Sequence, residues 1–169
     1  MNSQTMDLPS TLSSRWPRVA LIALITVALD QVTKAMARAW LPRRRISLLG
    51  DLIRLQPSQN AGAFMSLGAR LPETVRFWLF IVLSGVTLVL LAVYVLVDAT
   101  LTPTIVTALS LVLGGGLGNM IDRIRFDGRV FDFLNVGIGG LRTGIFNVAD
   151  VAIMAGGILA LWAMISADR

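Results

Sequence analysis

The stretch Phe146-Asn147-Val148-Ala149-Asp150-Val151-Ala152-Ile153-Met154 opens the last long apolar segment of the chain, and it opens it with an acid. A carboxylate at the edge of hydrocarbon is costly to keep ionised, so such a residue is expected to face a cavity or a partner. Asn147 and Asp150 are three positions apart and share one face of a helix. A second acid, Asp132 in Val130-Phe131-Asp132-Phe133-Leu134, lies 18 residues earlier, in the loop leading to this segment. Two carboxylates converging at a membrane surface point to acid–base chemistry on something membrane-bound.

Working outward, the remaining apolar segments set the class. Phe77–Val97 is an unbroken apolar run preceded by Arg76 and long enough to cross a bilayer. Asp98 to Pro103 reads as a tight turn. A further span covers residues 104–121 and holds Gly114-Gly115-Gly116-Leu117-Gly118, in which Gly114 and Gly118 have the spacing that lets helices approach closely. Asn119 and Asp122 follow on one helical face, with Arg123 beside them. The first apolar run, Val19–Leu29, is too short to span alone and must continue through Asp30-Gln31-Val32-Thr33-Lys34 to about residue 39. Asp30 and Lys34 then stand at the spacing of a helical ion pair. Arg15, Trp16 and Arg18 read as an interfacial anchor, and residues 1–14 as a mobile polar tail.

The sequence therefore predicts an all-α integral membrane protein, one membrane domain over residues 1–169, with spans near 18–39, 77–97, 104–121 and 145–165. With 55% hydrophobic residues in a chain of 169, an ordinary soluble domain is excluded. Four spans put both ends on one side and both long loops on the other, which gathers Asp122, Asp132 and Asp150 at one face. Residues 40–75 form the first loop, with the basic Arg43-Arg44-Arg45, a Gly50-Asp51 turn and a short hairpin. Residues 124–144 form the second.

No cysteine and no histidine occurs. Disulfides, thiolate nucleophiles, serine–histidine triads and two-histidine zinc sites are thereby excluded. The net charge of +5 suits anionic lipid headgroups, and no basic tract with interleaved aromatics suggests a nucleic-acid surface. Two carboxylates can share one proton, because like charges a few ångströms apart cannot both ionise. One then activates water while the other, protonated, polarises a carbonyl. No cofactor is needed.

Asp30-Gln31-Val32-Thr33-Lys34, Asn60-Ala61-Gly62-Ala63-Phe64, Gly115-Gly116-Leu117-Gly118-Asn119-Met120-Ile121-Asp122-Arg123, Val130-Phe131-Asp132-Phe133 and Phe146-Asn147-Val148-Ala149-Asp150 together resemble, in order and spacing, the five motif blocks of bacterial lipoprotein signal peptidase, signal peptidase II. The second block departs at Phe64 and the fourth has Phe131 where a valine is usual. The resemblance implies a metal-independent aspartic endopeptidase that removes the signal peptide of diacylglyceryl-modified prolipoproteins immediately before the lipidated cysteine. By the same resemblance Asp132 and Asp150 are catalytic. Asn60, Asn119, Arg123 and Asn147 line the substrate site, and Asp30, Lys34 and Asp122 are structural support. The implied fold adds a small extracytoplasmic β-cradle and a short interfacial helix to the four spans, both within residues 40–75.

The implied location is the bacterial cytoplasmic (inner) membrane, multi-pass, with both termini cytoplasmic and the active site at the outer face. Prolipoprotein substrates and membrane phospholipid are the implied partners, without nucleic acid or an obligate protein. Lysine and arginine are concentrated in the two long loops and the adjoining span ends, which the positive-inside rule alone would place in the cytoplasm. Five ordered motifs outweigh that bias. The alternative function is a proton-coupled small membrane transporter using intramembrane carboxylates. It would need acids near the midplane and matching halves.

Overall fold

The computed structural model describes residues 10–41, 44–62, 68 and 71–167. Four helices in it are long and apolar enough to cross a membrane. They are α1 (Ser10–Trp40), α2 (Glu73–Val97), α3 (Pro103–Arg125) and α4 (Val148–Ala167). Each overlaps its expected span. α1 starts at Ser10, so the part of the expected tail that is described is helical; residues 1–9 lie outside the described set.

Local chemistry accounts for the ends. α3 begins where Thr102 accepts a hydrogen bond from the Ile105 amide at 3.3 Å, with Pro103 in the first turn. α2 ends at Asp98, whose side chain accepts from the Thr100 amide at 2.8 Å and closes the turn to α3. Arg15 donates to the carbonyls of Asp98, Ala99 and Leu101, the last two at 3.0 and 2.9 Å. The residue expected as a lipid anchor thus clamps the α2–α3 turn onto α1, satisfying carbonyls a helix end leaves free.

α3 is the central helix. Val106, Ala108, Ser110, Leu113 and Met120 are buried on it, whereas α2 and α4 leave much of their apolar surface exposed. The glycine run explains how three neighbours fit around one helix. A Cβ on Gly114 would come within 2.7 Å of Thr26 on α1, and one on Gly118 within 2.7 Å of Asp30. One on Gly115 would strike the Ala149 carbonyl of α4, and one on Gly116 a methyl of Leu88 on α2. Small residues permit this approach in a membrane, where tight packing drives helix association. Within α2, Trp78–Leu83 adopts wider π-helical turns.

Both long loops contribute to a four-stranded antiparallel sheet in the order β1-β2-β3-β4. The strands are β1 (Ile46–Leu48), β2 (Ile53–Asn60), β3 (Val130–Ile138) and β4 (Leu141–Arg142). This corrects two expectations. The cradle is not confined to residues 40–75, since half of it comes from the second loop. Asp132 lies on strand β3, not in a loop. The strand was hidden because Val130, Phe131, Asp132 and Phe133 are all buried, which erases the alternation that marks a half-exposed strand. The β2–β3 register slips between Leu55 and Ser58, the stretch containing Pro57, which lacks a ladder donor.

Phe131 and Phe133 dock against Ala37 and Leu41 at the end of α1, and the Arg38 guanidinium lies 4.4 Å from the Phe126 ring and 4.8 Å from that of Phe131. The sheet is thereby pinned to the membrane domain. Phe64 and most of the segment expected to hold the interfacial helix lie outside the described residues; within 40–75 the described helical residues are Gly68, in a 3-10 turn, and the start of α2.

Candidate active site

The centre of the site is an amide side chain. Asn147 stands immediately before α4, and its Oδ1 accepts from the Asp150 amide at 2.9 Å while the Asp150 carboxylate accepts from the Asn147 amide at 3.2 Å. This reciprocal capping box satisfies two backbone donors of the first turn and sets the Asp150 side chain at the helix mouth. With Oδ1 committed, Nδ2 of Asn147 must donate. It donates to Asp132 Oδ1 at 2.6 Å and to Asn119 Oδ1 at 3.0 Å, which uses both its hydrogens.

Asn119, on α3, passes the pattern on. Its Nδ2 donates to Asp150 Oδ1 at 2.8 Å. Asn60, at the end of β2, donates to Asp132 Oδ2 at 3.1 Å, across a diagonal of the β2–β3 ladder in which Ser58 faces Asp132. Asp132 and Asp150 therefore come from a strand and a helix and meet through neutral amides. Among the described residues neither carboxylate has a cation within ion-pair distance. Burial pushes the Asp132 carboxyl up to about 6 and the Asp150 charge adds to the push, while the bonds from Asn60 and Asn147 oppose it. Asp132 is only 2% exposed and Asp150 half-buried, so access to the pair is from the Asp150 side.

A second acid cluster lies deeper. Lys34, fully buried, meets Asp30 Oδ2 at 2.8 Å, Asp122 Oδ2 at 3.1 Å and Asn119 Oδ1 at 3.1 Å. Its three donors are thus used. Each acceptor in turn holds a piece of the site. Asp30 Oδ1 receives the Ala149 amide of α4 at 3.0 Å, and Asp122 Oδ2 receives the Phe131 amide, next to Asp132, at 3.0 Å. One ammonium therefore ties together the helix carrying Asp150, the strand carrying Asp132 and the Asn119 amide that reaches Asp150.

Arg38 and Gln31 complete this cluster. Arg38 meets Asp122 Oδ1 at 3.1 Å, and Gln31 donates to Asp30 at 3.1 Å and to the Gly118 carbonyl at 3.1 Å. Sequence reasoning missed both. The signal for Arg38 was present, since Asp30, Lys34 and Arg38 recur every four residues along one face.

Arg123 is half-buried at the end of α3, near enough to Asp150, Asp132 and Asp122 for their charges to act on it. Adjacent positions on a helix point about 100° apart, and Asp122 itself turns to Lys34. The Arg123 guanidinium lies 5.9 Å from the Phe80 ring and lines a cavity of about 600 Å³ with Glu73, Arg76, Phe77 and Ile81.

Four spanning helices with a paired-carboxylate centre between their ends and a small sheet define a multi-pass membrane protein built around one polar site. Comparison with known proteins gives the family. The model of signal peptidase (SPase) II matches residues 22–166. A lipoprotein signal peptidase of Oleidesulfovibrio alaskensis is 37% identical over 139 residues, covering 82% of this chain and 88% of its own. That of Treponema pallidum is 32% identical over 174 residues, covering 97% and 91%. A bacterial membrane enzyme solved by the in meso method at 2.3 Å superposes with a TM-score of 0.76 at 29% identity, covering 89% of each chain. The chain belongs to the signal peptidase II family, the lipoprotein signal peptidases, which cleave signal peptides from prolipoproteins. The transporter alternative finds no support in these relatives.

Proposed function

We propose that this protein is an aspartic endopeptidase in which Asp132 and Asp150 form the catalytic dyad and act without metal. One observation carries the reading: two acids on different elements converge through amide donors alone, in a chain with no histidine or cysteine to serve as base or nucleophile. Asp132, in the protonated form that burial favours, donates a hydrogen bond to the scissile carbonyl oxygen. Asp150 takes a proton from water, whose oxygen adds to the carbonyl carbon. As the tetrahedral species collapses, that proton passes to the leaving nitrogen and the C–N bond breaks.

Asn60 and Asn147 orient Asp132, Asn119 orients Asp150, and Arg123 with its cavity receives substrate. Asp30, Lys34 and Asp122 hold the elements in register. The substrate is a prolipoprotein cut immediately before its diacylglyceryl-modified cysteine. Phospholipid surrounds the single membrane domain, and neither nucleic acid nor an obligate protein partner is required.

The membrane is the bacterial cytoplasmic one, with both termini inside and the site at the outer face. Reporters fused after Ser166 and in the Asp98 turn then read cytoplasm, and one inserted near Gly50 reads the outer side; the reverse pattern overturns this orientation. The decisive assay incubates purified protein with a lipid-modified prolipoprotein. A product shortened at the lipidated cysteine, formed equally with and without chelator, is the expected result. No product, or loss of product with chelator, refutes the reading.

A further inference from the structure

Two hairpin turns lie side by side at the end of the sheet remote from Asp132. Ile53 pairs with Val136, so the turn between β1 and β2 adjoins the turn between β3 and β4, and the Gly137 amide donates to the Leu52 carbonyl at 2.9 Å. Turns that face water are ordinarily built from polar residues and glycine. The turns do carry Gly50-Asp51 and Gly139-Gly140, but the positions flanking them are aliphatic and exposed: Leu49, Ile138 and Leu141 at 75%, 79% and 86%, with Leu52 at 40% beside them. Leu49 has a φ of 54°, where glycine is the ordinary choice, so a leucine is kept there against backbone preference.

Behind these aliphatic side chains is a cationic collar. Asp51 meets Arg54, Arg45 and Arg142, the last two at 3.5 and 3.7 Å, so three guanidinium groups surround one carboxylate. Two positive charges are left over. Arg142 also donates to the Asp51 carbonyl at 2.8 Å and the Leu52 carbonyl at 3.3 Å, making the two turns one unit. Arg54 and Ser47 hold the Asp51 carboxyl well below the usual carboxylate range, so the charge pattern persists across physiological pH.

We propose that this paired hairpin tip inserts into the interfacial layer of the bilayer, on the leaflet the site faces, against anionic phospholipid headgroups. The aliphatic side chains match the upper acyl region and the guanidinium groups match lipid phosphates. The sheet leaves the membrane domain within five residues of the end of α3 and runs on past Asp132. Ile138 lies six residues beyond Asp132, about 20 Å of strand. A sheet lying along the surface brings its tip to lipid; an upright one would hold four aliphatic side chains in water. Inserted, the tip anchors the far end of the strand that carries Asp132, whose near end α1 holds. The inference depends on the four spans and not on the catalytic reading.

The chain has no cysteine, so Ile138→Cys and Leu141→Cys each accept one environment-sensitive fluorophore. The full-length labelled protein is reconstituted in phosphatidylcholine vesicles with or without phosphatidylglycerol, and quenching by headgroup-region lipid quenchers is compared with quenching by aqueous iodide. The expected result is lipid quenching that dominates and rises with phosphatidylglycerol. Arg45→Gln should lower the ratio of inserted to withdrawn tip about fivefold in the anionic vesicles. Dominant iodide quenching in both vesicle types overturns the proposal. Lipid quenching that ignores both phosphatidylglycerol and Arg45→Gln overturns the assignment to anionic lipid.

Discussion

Two acid clusters lie within one network, and their partners differ in kind. Asp30 and Asp122 face cations, Lys34 for both and Arg38 for the second. Asp132 and Asp150 face amides from Asn60, Asn119 and Asn147 and from backbone. A carboxylate paired with a buried ammonium is held ionised and immobile, because losing either partner strands a charge. A carboxylate solvated by amides is oriented without having its charge neutralised, and burial can then keep a proton on it. The deep cluster suits construction and the shallow one suits proton transfer, though all four residues are aspartate.

The strongest way to break this contrast is to neutralise the shallow pair. Asp132→Asn or Asp150→Asn should reduce single-turnover cleavage of a lipid-modified prolipoprotein by at least 10²–10⁴-fold, the usual worth of one general acid–base group. Circular dichroism and melting should show both variants folded. Substantial cleavage by either would end the dyad assignment.

Neutralising the deep cluster should act on stability instead. Lys34→Met leaves Asp30 and Asp122 without their shared ammonium, and breaking a buried pair from one side costs about 3–5 kcal/mol. A large fall in melting temperature in detergent is expected. Asp122→Asn is milder, because the amide still accepts from the Phe131 amide and Arg38 is partly exposed. It should melt lower than the parent yet retain measurable cleavage. If it melts normally and is dead, the division between the clusters is wrong.

The contrast sharpens with pH. Asp132 titrates near 6 in the folded protein against 3.8 as its ordinary value, so the folded state binds its proton more tightly than the unfolded state does. Its contribution to stability is complete below about pH 4 and is lost as pH rises through 6. Asp132→Asn should therefore melt like the parent near pH 4 and higher than the parent at pH 8, by roughly 2–3 kcal/mol, the worth of moving the carboxyl from 3.8 to about 6. A constant difference across that range would contradict the upward push on the Asp132 carboxyl. The smallest effect concerns activity in the parent: kcat/KM should decline on the alkaline side with an apparent value near 6, reported for the pair as a whole.

Much of this was legible in the sequence. Helix spans come from runs of apolar residues, a local property, and all four were found; the ends moved by at most four residues, except that α1 begins eight earlier, at Ser10. Asp150 was visible as an acid at the start of an apolar run, and Asn147 as its neighbour on the same face. Strand β3 was not visible, since burial on both sides removed its alternation. Arg38 was overlooked although its four-residue spacing from Lys34 was readable.

By itself, the sequence determined a four-span membrane protein, the absence of histidine and cysteine, the motif order of its family and the two acids available for chemistry. Only the tertiary structure decided that Asp132 rides a strand, that Asn147 bridges both acids, and that Lys34 serves Asp30, Asp122 and Asn119 at once. The physical reason is range. Hydropathy and helical spacing act over a few residues, whereas a carboxylate's protonation depends on which donor reaches it from another element, and here Asn119 reaches Asp150 from 31 positions away.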